Sequence, residues 1–158
     1  MKKTKKLPPW SKRQAKAKRK LDRLFSEFIL LRDKRTCRFC GKSIDETGKQ
    51  FHIDNSHIIP RQVTILRWNT KNTVALDFGC HKAKRFHSWH SNPLWAAKWI
   101  RSLLGDAHCD ELLRLAELPY EFNEAEAIRI EAELKAAIAD LQANRSESPA
   151  TPENPVQS

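Results

Sequence analysis

Apolar residues at Leu21, Leu24, Phe25, Phe28, Ile29 and Leu31 follow helical spacing, so one helix is expected over 11–34, with a bare basic start. "FHIDNSHII" is rich in β-branched residues and reads as a strand that Pro60 closes. Residues 61–72 are polar and irregular, and "TVAL" predicts a second strand. A short basic helix is expected from Cys80 to about Trp89. Asn92-Pro93 starts another helix as cap and first-turn proline, and Gly105 ends it. Leu112, Leu113, Leu115 and Ala116 mark a short helix stopped by Pro119. Asn123 and Glu126 resemble a capping box ahead of the stripe Ile130, Leu134, Ile138 and Leu141, which runs to about Asn144.

This pattern divides the 158 residues into a basic flexible arm (1–20), a core with flanking helices (21–118), an amphipathic helix (119–143) and a tail disordered by composition (144–158). No internal repeat is visible. Five Trp and seven Phe can seed a core, while 30% charged residues and a mean hydropathy of −0.65 describe a wet surface. No apolar run approaches the roughly 20 residues a spanning helix needs, and "LPPW" stands where a signal peptide would be apolar. A cytoplasmic protein without a membrane partner is the expectation.

Charge sharpens the picture. Residues 1–105 carry 25 Lys and Arg against 7 Asp and Glu, whereas 106–158 carry 4 against 12. Ten of the first twenty residues are basic. A half-chain so one-sided suits a polyanion, because neutralising phosphates releases condensed counterions. A solvated basic tail is the plainer alternative.

The four cysteines argue for metal or redox use over disulfides. Cys37-Arg-Phe-Cys40-Gly is a knuckle whose two thiolates suit one tetrahedral zinc. Its partner is "DFGC", so Cys80 stands with Asp77 where a second cysteine would be expected. The fourth ligand is open between Asp77 and a histidine such as His52. Cys109 reads as a buried core thiol.

His57, Asn72 and His81 are spaced at gaps of 15 and 9. Phosphodiester hydrolysis needs an activated water, a metal at the leaving oxygen, and something to fix both. A histidine ending a strand can be the base, an asparagine in the loop can orient it, and a histidine opening the next helix can hold the metal.

In "SHIIP", "NTVAL" and "CHKAK" the segment 37–87 resembles the HNH endonuclease family, whose ββα-metal core is often clamped by two cysteine knuckles. "FILLRDKRTCRFCGK", "LRWNTKN" and the acidic helices after Gly105 extend a similarity to the NinG (Rap) recombination endonucleases of lambdoid phages over about 21–142. The resemblance implies an α+β fold with a zinc-clamped core, and a metal-dependent endonuclease acting on branched DNA such as D-loops and Holliday junctions. It implies His57 as general base, Asn72 as orienting residue and His81 as metal ligand. It also implies a phage or prophage origin, with a recombination protein or a second copy as partner.

The chain departs from the family at two places. Ser56 stands where a metal-binding Asp or His is usual, which leaves Asp54 as the best carboxylate. Arg85 stands where a second metal histidine is frequent, and His87 and His90 are out of phase on a continuous helix. A cation held by few protein ligands is the consequence, as suits Mg²⁺ or Mn²⁺. Lys82, Lys84, Arg85 and Arg61, with Lys12 and Arg13 of the arm, are the expected phosphate contacts. Trp89, Trp95 and Trp99 are read as core packing, with base stacking secondary. Three alternatives stand beside the nuclease. His81 could be a zinc ligand, the chain could be an architectural DNA-binding protein with a decayed core, and the acidic stripe could recruit a partner.

Overall fold

The computed structural model describes residues 8–43, 52–84 and 87–146. Helix α1 (Trp10–Arg32) is followed by strand β1 (Ile53–His57) and two 3₁₀ turns, at Thr64–Leu66 and Thr70–Asn72. Strand β2 (Thr73–Asp77) leads into a single π-helical turn at Gly79–Ala83. Helices α2 (Pro93–Leu104), α3 (Asp106–Ala116) and α4 (Glu124–Ser146) complete an α+β fold, as expected. No described helix is long and apolar enough to cross a membrane.

The strands pair antiparallel, from Ile53 opposite Asp77 to His57 opposite Thr73. β2 is buried along its whole length and lies against α1, whose Leu21, Phe25 and Ile29 are almost completely enclosed. α4 packs along the other side of α1, and its Ile130, Leu134 and Ile138 join the same core. The apolar stripe of α4 therefore serves the chain's own interior. Asn123 caps α4 by accepting from the Glu126 backbone N–H at 2.9 Å, but the Glu126 side chain turns to Tyr120 and Arg129. The box is closed from one side only.

Two expectations need correction. Trp10–Lys20 form the first turns of α1 and dock on α4 through Arg13–Glu124 and Lys20–Glu131, so this part is not a flexible arm. The chain after Cys80 makes one π turn and is extended at Lys84, so there is no helix to Trp89. Gly79 permits that turn, because a Cβ there would come within 2.9 Å of Asp77 Oδ1. The first residues of the arm, the loop 44–51, Arg85 and most of the tail lie outside the described residues.

The tryptophans pack as expected. Trp95 and Trp99 of α2 stack on each other, and both meet Phe39 edge-on, at 4.8 and 5.4 Å between centroids. Phe39 sits between the two knuckle cysteines, so α2 is riveted to the knuckle. Asn92 caps α2 by accepting from the Trp95 N–H, with Pro93 in the first turn.

Candidate metal centre and catalytic cleft

The knuckle closes through backbone bonds from Cys37 to Lys42 and from Gly41 to Cys37, with Gly41 at φ 73°. The Arg38 N–H then donates to the Ala75 carbonyl and ties the knuckle to β2. Beyond the end of β2, Cys80 and Asp77 come round to face it. The Sγ atoms of Cys37, Cys40 and Cys80 and a carboxylate oxygen of Asp77 all lie within 4.8 Å of one another.

Asp77 Oδ2 is 3.0 Å from Cys40 Sγ and 3.4 Å from Cys80 Sγ, while its Oδ1 accepts from the Gly79 and Cys80 N–H groups. Burial opposes its charge, but these hydrogen bonds prevail and hold it below the usual carboxylate range. Burial pushes the Cys80 thiol up, the reverse of what a bound cation would do. A carboxylate set among three thiols fits a metal ion such as zinc, with Asp77 as fourth donor. His52 instead donates to Asp54 at 2.7 Å.

Two of the expected catalytic residues, His57 and His81, line a second place, a cleft of about 520 Å³ that also takes in Asp54, Arg61, Lys82 and His90, whereas Asn72 does not line it. His57 Nε2 donates to the Arg67 carbonyl at 2.8 Å, which assigns the proton to that nitrogen and leaves Nδ1 with a lone pair. Its ring rests on Phe25 of α1. Burial pulls its pKa below that of an ordinary histidine, so His57 is neutral and able to accept a proton at neutral pH.

Asn72 is wholly buried. Its amide accepts from the Ile59 N–H and donates to the Ile59 and Leu66 carbonyls, pinning the loop between the strands. The bonds fix the backbone that follows His57.

His81 Nδ1 donates to Asp54 Oδ2 at 2.7 Å, and its Nε2 lies 3.1 Å from His90 Nε2. Burial lowers the His81 pKa against the pull of Asp54. For Asp54, burial is outweighed by its bonds to His81 and Lys82, which keep it ionised at lower pH than usual. At that distance one imidazole donates to the other, so the two rings meet edge to edge in the cleft. Asp54 accepts from the far nitrogen of His81 and so orients the ring.

Helical phase would keep His90 apart from His81, but the two lie side by side. The chain folds back after the π turn, with the Trp89 N–H on Cys80 O and the His90 N–H on His81 O. That bend, not a helix, sets His90 beside His81. Ser56 is buried, its hydroxyl finds no partner among the described residues, and it is not among the residues that line the cleft.

The expected phosphate contacts divide. Arg61 and Lys82 line the cleft, although Lys82 also reaches Asp54 at 3.2 Å. Lys84 is turned away, 3.3 Å from Cys80 Sγ. Arg13 is held by Glu124 in a two-pronged bond of 2.7 and 2.8 Å, so it is a structural cation. Lys12 is exposed.

A further residue was missed. Asp22 of α1 accepts from Nε and Nη2 of Arg67 at 2.9 and 2.7 Å and from the Trp68 indole at 3.0 Å. It thereby fixes the segment whose carbonyl holds His57. An acid on α1 opposite a distant Arg-Trp pair leaves no local mark in the sequence. Asp22→Ala should lower the rate of any His57-dependent reaction about tenfold or more with little effect on substrate affinity. Single-turnover kinetics beside a binding titration would show it, and equal loss in both would make Asp22 a binding or folding residue.

Comparison with known protein families, curated proteins and solved structures returned no match for this chain.

Proposed function

We propose that the chain is a metal-dependent DNA endonuclease of the HNH type, acting on branched recombination intermediates. The observation that supports this most is one cleft that holds a neutral, carbonyl-anchored His57 and the adjacent His81–His90 pair. β1, β2 and the π turn would then be the ββα-metal core in shortened form, with the thiol cluster as its zinc clamp. His57 takes the proton of a water through Nδ1, and Arg61 and Lys82 receive the phosphate. His81 and His90, with Asp54 behind them, are the residues that would hold the cation, which stabilises the charge developing on the leaving oxygen. Imidazole ligands favour Mn²⁺ over Mg²⁺ at such a site.

The test is cleavage of a labelled Holliday junction, a D-loop and a linear duplex with each cation, comparing wild type with His90→Ala. Cutting that needs metal, is stronger with Mn²⁺ and is lost in His90→Ala supports the assignment. Tight junction binding with no cutting under any cation would instead favour an architectural DNA-binding protein.

The proposal also sets a pH profile. His57 must be neutral to act as base, and burial lowers its pKa, so the rate should stay high below pH 6.5, the ordinary histidine value. It should fall only as pH drops through the lowered value. A single-turnover profile with its acid limb at or above 6.5 would place the base elsewhere.

A further inference from the structure

α1 carries seven cations between Lys12 and Arg23, and they sort by face. Arg13 and Lys20 point to α4 and are paired with Glu124 and Glu131. Lys18 lies over the Phe122 ring at 5.5 Å. The other four, Lys12, Lys16, Arg19 and Arg23, are exposed and have no ion pair among the described residues. Their spacing of 4, 3 and 4 places them in one row, opposite the buried face of Leu21, Phe25 and Phe28.

The row is uninterrupted. Ala15 and Lys20 flank the row, no acid of α1 stands on that face between the four cations, and the exposed Glu27 closes the row one turn after Arg23. A face that merely keeps a helix solvated mixes signs, because like charges three and four residues apart repel. Here the repulsion is left standing. The row ends beside Asp22, which lines the cleft, about a quarter-turn round the helix.

We infer that Lys12, Lys16, Arg19 and Arg23 form a phosphate-tracking ridge that holds a DNA duplex running outward from the rim of the cleft. Eleven residues of helix rise about 16 Å, which matches about five phosphates of one strand along a duplex axis. Phosphates carry no sequence information, so a row of cations that tracks the backbone grips any sequence. It supplies a grip on one duplex arm outside the reacting centre, and it rests on the nuclease reading only for what that arm is used for.

The test is a salt titration of affinity for a fluorescent linear duplex, with no divalent cation added, so that binding is read without cutting. The full chain is compared with the quadruple variant Lys12→Gln, Lys16→Gln, Arg19→Gln, Arg23→Gln. A charge-matched control carries Lys98→Gln, Arg114→Gln, Arg129→Gln and Lys135→Gln. The ridge variant should lower the slope of log K against log salt by about 3 to 4, at roughly 0.9 per phosphate, and weaken binding at least about tenfold near 0.1 M salt. The control should change the slope by less than about one. Since the ridge side chains have no ion pair among the described residues and repel one another, the variant should melt at or above the wild-type temperature, which separates lost contact from lost fold.

An unchanged slope in the ridge variant overturns the proposal. An equal change in the control also overturns it, because net charge would then explain the binding. Vesicles of anionic phospholipid that bind with the same dependence on these four residues would make the ridge a membrane-surface contact instead. A wild-type chain that grips DNA by the ridge but never cuts refutes the nuclease reading and leaves the ridge intact. One that cuts with ridge-independent affinity does the opposite.

Discussion

His57→Ala should reduce cleavage by about 10²- to 10⁴-fold while DNA affinity stays close to wild type. The size follows from the role. The side chain presents one free nitrogen, its other nitrogen is locked on the Arg67 carbonyl, and burial keeps the ring neutral. Nothing else in the cleft combines those properties, because both nitrogens of His81 are engaged, by Asp54 and by His90. The phosphate-facing cations are untouched by the change, so binding should persist. Since His57 also packs on Phe25, a melt must accompany the rate measurement. Cutting at near wild-type rate by a folded His57→Ala protein would remove the base from this position.

Cys80→Ser should produce the largest loss of stability. Cys80 is completely buried, and its sulfur faces Cys37, Cys40 and Asp77 across the gap between knuckle and sheet. Metal affinity at such a site becomes folding free energy. Wild-type protein is expected to carry about one zinc per chain, and the variant much less, with a fall of roughly 3 kcal/mol or more, or about 10 °C in Tm. The loss should reach activity as well, since Cys80 and His81 are adjacent on the same π turn. Asp77→Cys, by contrast, would complete a four-thiol set and should retain zinc. Metal analysis with calorimetry decides the matter. A zinc-free wild type whose Tm does not respond to chelation would reduce the cluster to packed thiols.

What could be read in advance depended on how local the physics was. α1, both strands and the starts of α2 and α4 are written in short-range terms: helical spacing, β-branched residues, Pro60, and caps at Asn92 and Asn123. Asp77 as fourth member of the thiol cluster was legible because it occupies the place of a knuckle cysteine. His90 was not, because the reading assumed one continuous helix after Cys80, and phase on a helix that does not form decides nothing. Arg13 looked like a DNA contact until Glu124 came to meet it from the far end of the chain. Asp22 failed for the same reason, since its partners Arg67 and Trp68 are adjacent only after folding.

The pairing of α1 with α4 also bears on how the protein is made. α1 packs against α4, which follows it by about a hundred residues, so Leu21 and Phe25 emerge from the ribosome long before Leu134 and Ile138 arrive to complete the same core. Contacts so distant along the chain form late and slowly. In the interval α1 is a strongly cationic helix with a bare greasy side, which invites aggregation or capture by a chaperone. A chain halted before α4 should therefore accumulate as inclusion bodies rather than as a smaller working protein.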